Sequence, residues 1–264
     1  MSDYADLPGV KTWYEVEGDG DPLLLLHGGM CTNETWGAQR PALVARHRVH
    51  LPERRAHGHT PDVDGPLSYD DMAQDTVDFI EAVVGAPVHL VGWSDGGIVA
   101  LLVAIARPDL VNKVVAVSAN FLPAPEISAA PEMLGELSPD EPALAMFRSM
   151  YEAASPDGPE HWPVVVQKLV AMYAVEPNIS PEALAGIDAR TLVLVADDDL
   201  MTLEHSIALY RGLPNAELAV VPGTSHALLM EKADLCNRLI LEFLGSDPVP
   251  TMMPIRRAAA PHGA

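Results

Sequence analysis

Along the first 120 residues, short strand-like runs alternate with longer helix-like ones. Residues 10–17 alternate in side-chain character and stop at Gly18-Asp19-Gly20-Asp21-Pro22, which predicts an outer strand and a turn. Leu23 to Leu26 is wholly apolar, as a strand covered on both faces must be. Arg48 to Leu51 is a weaker strand. Ser68, with Asp71 three residues on, predicts a helix cap, and behind it Met72, Thr76, Phe79, Ile80 and Val83 form one helical face. Val88 to Val91 returns as a strand, Ile98 to Ala106 as a helix, and Val114 to Val117 as a strand.

From Phe121 to Ile187 the pattern changes. The stretch holds ten of the chain's 24 prolines and suggests no strand. Ser138-Pro139 and Ser180-Pro181 each place a capping residue before Pro at a first helical position. Leu144, Phe147, Met150 and Tyr151 keep a helical apolar spacing, as do Val165, Leu169, Met172 and Tyr173. Strand–helix alternation then resumes with a strand over Thr191 to Val195, a helix over Leu203 to Gly212, a strand over Leu218 to Val221 and a last helix from about Asp234 to Leu244. The expected organisation is an α/β core over residues 1–120 and 188–245, a helical cap over 121–187 and a disordered Pro- and Ala-rich tail over 246–264. Repeated β-then-α units predict a mainly parallel sheet with helices on both faces. Ligands of such sheets gather at the carboxyl ends of the strands, so chemistry is to be sought in the loops that follow them.

Composition narrows the class. The 264 residues are 48% apolar, enough for a large core and against overall disorder. A formal charge of −21 disfavours nucleic acid and anionic membrane surfaces as partners. The longest unbroken apolar run, Ile98 to Ala106, is too short to cross a bilayer, and the first residues carry neither a basic region nor an apolar stretch. Two cysteines, Cys31 and Cys236, provide no disulfide framework or zinc site. A cytoplasmic protein is expected, as monomer or homodimer.

After the strand Val88 to Val91 comes Gly92-Trp93-Ser94-Asp95-Gly96-Gly97 and then a helix. This G-x-S-x-G lies in the strand–turn–helix setting that exposes a serine hydroxyl above a sheet, near the positive end of a helix. The structural alternative is a glycine-rich turn that only packs a helix on a strand. A serine needs a base, and His226 follows the strand Leu218 to Val221. The base needs a carboxylate to orient it, and Asp197, Asp198 and Asp199 follow the strand Thr191 to Val195.

The sequence resembles the α/β-hydrolase superfamily, in its lid-bearing branch with a serine nucleophile, over about residues 10 to 245. The likeness rests on Leu26-His27-Gly28-Gly29-Met30, the elbow Gly92 to Gly96, the loop Asp197 to Asp199 and Gly223-Thr224-Ser225-His226. It implies an eight-stranded α/β-hydrolase fold and a triad of Ser94, Asp199 and His226, with Asp198 as the second choice of acid. Backbone N–H groups of Gly29 (Met30 as the alternative) and Asp95 are the implied oxyanion donors, which leaves His27 structural. Arg55-Ala56-His57-Gly58-His59-Thr60 resembles a further loop of the family, so a loop role is expected for His57 and His59 rather than a metal pair. No metal or organic cofactor is implied.

The implied activity is cleavage of a carboxylic ester or lactone of a small to medium, largely apolar substrate. Amide, C–C bond or perhydrolase chemistry, or a non-hydrolytic ligand-binding or cyclase member, are the alternatives. The elbow is also similar to that of valacyclovir hydrolase-like enzymes, in which the acidic residue after the serine receives a substrate ammonium. For Asp95 the other reading is a surface-facing or helix N-terminal carboxylate favoured by the helix dipole. Met30, Trp93, Phe121, Phe147, Tyr151 and Trp162 are the candidate substrate contacts, with Tyr173, Met133, Met146, Met150 and Met172 adding to an apolar lining. Packing of the insertion onto the core is the competing role for most of them. Nothing in the sequence lowers the pKa of Cys31, and it is assigned no role.

Overall fold

The computed structural model describes residues 1–127, 137–247 and 251–253. Met133 and most of the residues after 247 therefore lie outside the described residues. Eight strands form one sheet: β1 (Ser2–Leu7), β2 (Val10–Glu17), β3 (Asp21–Leu26), β4 (His47–Pro52), β5 (Val88–Trp93), β6 (Val111–Val117), β7 (Arg190–Asp198) and β8 (Ala216–Ser225). Their order across the sheet is β1-β2-β4-β3-β5-β6-β7-β8. Pairing is antiparallel from β1 to β2 and from β2 to β4, and parallel everywhere else. This is the mostly parallel α/β sheet the sequence predicts. The strand at 10–17 is not the outermost, however. It turns at Gly9, whose φ is +87°, and pairs with β1, which carries only two inward-facing residues, Ala5 and Leu7.

The apolar run in β3 shows how the sheet is covered. Leu24 and Leu26 pack into one core with the helices α2 (Tyr69–Phe79) and α3 (Asp95–Ala106). Leu23 and Leu25 pack into a second core with α1 (Arg40–Val44) and the C-terminal helix Ala233–Gly245. Successive side chains of a strand point to opposite faces, so a strand between two helical layers has no polar side to keep. At the start of α2, Ser68 Oγ accepts the Asp71 N–H at 3.1 Å, as the capping pattern requires.

Between β6 and β7 the described residues form helices and connecting turns but no strand: α4 (Ala124–Ile127), α5 (Ala145–Ala154), α6 (Trp162–Tyr173) and α7 (Pro181–Ala185). Ser180 caps α7 with Pro181 in its first turn, as expected. Ser138 does not start a helix. A helix entered at Pro139 would place Pro142 where the first intrahelical N–H is needed and would force Glu141, the residue before a proline, into the helical region. Glu141 is instead extended at ψ 127°, and Pro142–Leu144 form a tight turn that leads into α5. Leu144 and Tyr151 are buried, as are Val165, Leu169 and Met172 on α6.

These helices are tied by polar contacts to the segment that joins β4 to α2. Lys168 Nζ donates to Asp62 Oδ2 at 2.7 Å and to the Val63 carbonyl at 2.6 Å, and Glu176 accepts the Tyr69 N–H at 2.8 Å. No helix among the described residues is long and apolar enough to cross a membrane.

Candidate active site

The sheet register sets the carboxyl ends of β5 and β6 level with each other and those of β7 and β8 level with each other, the second pair running on past the first. Trp93 on β5 pairs with Val117 on β6, Val117 pairs with Leu194 on β7, and Asp198 near the end of β7 pairs with Ser225 on β8. The residues that follow these four strands are Ser94, Ser118, Asp199 and His226.

Ser94 stands between β5 and α3 at φ 55° and ψ −120°. A side-chain-bearing residue in this region carries about 1–3 kcal/mol of strain, which only a well-braced turn sustains. Three hydrogen bonds brace it. The Ser94 N–H donates to the Val117 carbonyl at 2.8 Å, and the Ser94 carbonyl accepts the Gly97 N–H at 2.8 Å and the Ile98 N–H at 3.1 Å. The turn also needs Gly96, where a Cβ would run into the carbonyl of Leu26.

His226 Nδ1–H donates to Asp199 Oδ1 at 2.6 Å. The other oxygen, Oδ2, accepts the Ser118 hydroxyl at 2.5 Å and the Ala196 N–H at 3.2 Å. Burial by itself would raise the Asp199 pKa, but the bonds from His226, Ser118 and Ala196 outweigh it and hold the carboxyl below the ordinary range. Asp197 instead accepts the Thr224 N–H at 3.0 Å, and Asp198 is exposed. Of the three consecutive acids, only Asp199 is joined to the imidazole.

The structure also ties the serine's neighbour to this pair. Trp93 Nε1–H donates to the His226 carbonyl at 3.0 Å, and the two rings lie 5.8 Å apart. No hydrogen bond joins Ser94 Oγ to the imidazole among the described residues. Catalytic hydrogen bonds are often loose until substrate is bound.

Asp95 opens α3, where a first-turn N–H has no intrahelical acceptor. Neither its N–H nor that of Gly29 donates to any acceptor among the described residues. Its side chain does not face the surface: Asp95 is 5% exposed, and its carboxylate accepts the Tyr173 hydroxyl of α6 at 3.0 Å. Burial raises the Asp95 pKa, against the opposing influence of Arg54, Tyr69, Tyr173 and His226.

His27 is buried with Nε2 accepting the Arg54 N–H at 3.2 Å and Nδ1 on the Gly28 carbonyl at 2.8 Å. Burial holds its pKa well below the usual value, so it is a neutral brace for the loop. His57 is likewise buried and pushed down to about 3. His59 pairs with Glu53 and stacks on Trp13. The Cys31 thiol is pushed up to about 12 by burial, which leaves it inert at neutral pH.

The candidate substrate contacts divide. Trp162 is 1% exposed, its Nε1–H donates to the Pro139 carbonyl, and it packs against buried Tyr151. Phe121 stacks on His205 at 4.3 Å. These three serve packing. Met30, at φ 58°, lies on the loop after β3, Trp93 lies beside the histidine, and Phe147 is half-buried between the two cores. Sequence reasoning missed Ser118 and Arg54. The available signal for Ser118 was its position directly after a strand of the same sheet.

Fold and site together define an α/β enzyme whose chemistry-bearing side chains follow the parallel strands, with a serine on a strained strand–turn–helix. The sequence model of the alpha/beta hydrolase family matches residues 23–239, and the chain belongs to that family. Serine hydrolase BPHL of Homo sapiens is 29% identical over 248 residues, covering 89% of this chain and 84% of that protein. The 2-hydroxy-6-oxo-6-phenylhexa-2,4-dienoate hydrolase of Burkholderia cepacia is 27% identical over 260 residues, covering 88% of this chain and 89% of that one. Among solved structures, the enol-lactonase from Burkholderia xenovorans LB400 shares the fold at a TM-score of 0.72 and 19% identity, covering 92% of this chain and 100% of that chain.

Proposed function

We propose that the protein is a serine hydrolase that cleaves a carboxylic ester or lactone of a small to medium, largely apolar substrate. Ser94 is the nucleophile, His226 the base and Asp199 the acid. The observation that carries this reading is the 2.6 Å bond from His226 to Asp199 on the sheet edge that also carries the strained Ser94 turn.

The steps follow from the parts. With Nδ1–H committed to Asp199, the proton-accepting nitrogen of His226 is Nε2, which takes the Ser94 proton as Oγ attacks the substrate carbonyl carbon. The oxyanion that develops is met by the N–H groups of Gly29 and Asp95, each worth about 2.7–4 kcal/mol by comparison with other hydrolases. His226 then delivers its proton to the leaving alkoxide, and the C–O bond breaks. Water attacks the acyl-enzyme with His226 again as base, which frees the acid and restores the Ser94 hydroxyl. In a lactone the leaving alkoxide stays on the product. We further propose that the helices between β6 and β7 act as the cap over this site, with Met30, Trp93 and Phe147 as its apolar contacts.

The test is a panel of ester, lactone and matched amide substrates, with Ser94→Ala as the blank. The expected outcome is turnover of esters or lactones that disappears in Ser94→Ala and in His226→Ala. Full esterase activity in both variants would overturn the assignment. Amide or C–C cleavage in preference to esters would keep the triad and change the substrate class.

A further inference from the structure

We propose that Arg54 is a positioning residue that builds the oxyanion pocket: its guanidinium, lodged beneath the 27–30 loop, pins the Gly28 carbonyl and so aims the Gly29 N–H over Ser94. The inference rests on the serine-hydrolase reading and adds to it a residue that lies outside the triad and its motifs.

Arg54 follows β4 and is 4% exposed. Its Nη1 donates to the His27 carbonyl at 2.5 Å and its Nη2 to the Gly28 carbonyl at 3.0 Å, so one planar fork holds two successive peptide groups. The Gly28 oxygen also takes His27 Nδ1–H at 2.8 Å and the Cys31 N–H at 3.4 Å. In a planar trans peptide the C=O of one residue and the N–H of the next point in opposite directions. Fixing the Gly28 oxygen on Arg54 therefore fixes the Gly29 N–H away from the guanidinium, and that N–H is left with no acceptor of its own among the described residues.

The far side of Gly29 is equally constrained. A Cβ there would collide with the Tyr173 hydroxyl and would come within 2.6 Å of Asp95 Oδ2. The carboxylate that closes this side belongs to the residue whose N–H is the second proposed donor. Arg54 is the largest influence opposing the effect of burial on that carboxylate. The cation that holds the Gly28 peptide thus also acts on the charge of the carboxylate beside Gly29.

A buried guanidinium is costly to desolvate, and here Nε–H has no partner among the described residues. An apolar side chain would fill the space without that cost, but it would leave the Gly28 oxygen with only the His27 and Cys31 donors to hold the peptide and would remove the buried positive charge from the loop.

The experiment uses Arg54→Met and Arg54→Lys in the full chain, beside Ser94→Ala. Each is assayed on p-nitrophenyl acetate and its thiono analogue, whose sulfur accepts hydrogen bonds poorly. Removing an oxyanion donor outright costs about 10²–10³-fold in kcat, so misdirecting one in Arg54→Met is expected to cost about 10–100-fold with KM changed less than about twofold. The loss on the thionoester should be at least about fivefold smaller than on the ester, and Arg54→Lys, which keeps charge but not the fork, should fall between. Unchanged kcat in Arg54→Met, or equal losses on ester and thionoester, would overturn the proposal. Should Arg54→Met fail to fold by circular dichroism, the ester-to-thionoester ratio of Arg54→Lys decides by the same criterion. If Ser94→Ala still turns over, the serine-hydrolase reading fails; if it is dead while Arg54→Met keeps full kcat, only the role of Arg54 fails.

Discussion

Removing the Ser118 hydroxyl should slow catalysis without weakening substrate binding. Its 2.5 Å bond to Asp199 Oδ2 is charge-assisted, and such bonds are worth about 1.5–3 kcal/mol. Without it Oδ2 keeps only the Ala196 N–H at 3.2 Å, while Oδ1 keeps His226 and the Leu200 N–H at 2.8 Å. The carboxylate is then freer to rotate away from the imidazole it must support when the imidazole becomes charged. If about half of the bond's worth is felt at that stage, roughly 0.7–1.5 kcal/mol, kcat falls by about 3–13-fold. Ser118 does not touch the proposed substrate position, so KM should change less than about twofold. Ser118 sits at φ 47°, a conformation that glycine adopts freely and alanine does not. Ser118→Gly should therefore be more stable than Ser118→Ala yet equally slow. Steady-state kinetics and thermal scans on both variants separate the two effects. Activity that follows stability, with the glycine variant near wild type, would refute the role given to the hydroxyl.

Two further outcomes follow from the strain at the elbow and from the buried histidines. Ser94→Gly releases about 1–3 kcal/mol of backbone strain against about 0.5–1 kcal/mol of added unfolded-state entropy, so Tm should hold or rise by up to roughly 5 °C as activity is lost; a lower Tm would show that the turn is relaxed. On acidification, His50, His89 and His205, pushed down to about 4 by burial, and His57, pushed down to about 3, stay neutral in the fold. The unfolded chain takes up their protons below about pH 6.5, so each contributes stability that is complete above that pH and is lost as pH falls toward about 4, by at most about 1.4 kcal/mol per pH unit. Urea midpoints measured from pH 7 to pH 4.5 should fall steeply. Replacing His50, whose ring nitrogens both lack hydrogen-bond partners among the described residues, by Leu should flatten the slope, and an unchanged slope would contradict the assignment.

Local patterning made most of the architecture legible. The Ser68 cap, the apolar β3 run and the Leu203–Gly212 helix each depend on neighbours a few residues away, and each is found where the sequence predicts it. β1 escaped notice because an edge hairpin strand buries too little to carry a pattern. The elbow and the histidine loop were legible as motifs, but three consecutive aspartates were not separable without the bulge in β7 that turns Asp197 toward Thr224 and Asp199 toward His226. Ser118 and Arg54 lie 81 and 27 residues from the partners they hold, a convergence that no local period records. Asp95 shows the opposite failure: an acid in a first helical turn reads as exposed, and only the tertiary fold reveals the tyrosines and arginine around it.

The most direct measurement is intact-mass and peptide mapping after reaction with a fluorophosphonate. The account predicts one adduct per chain, on the peptide carrying Ser94, absent in Ser94→Ala and formed at least about a hundredfold more slowly in His226→Ala. An adduct on another residue, or labelling of Ser94 at the wild-type rate without His226, would contradict it.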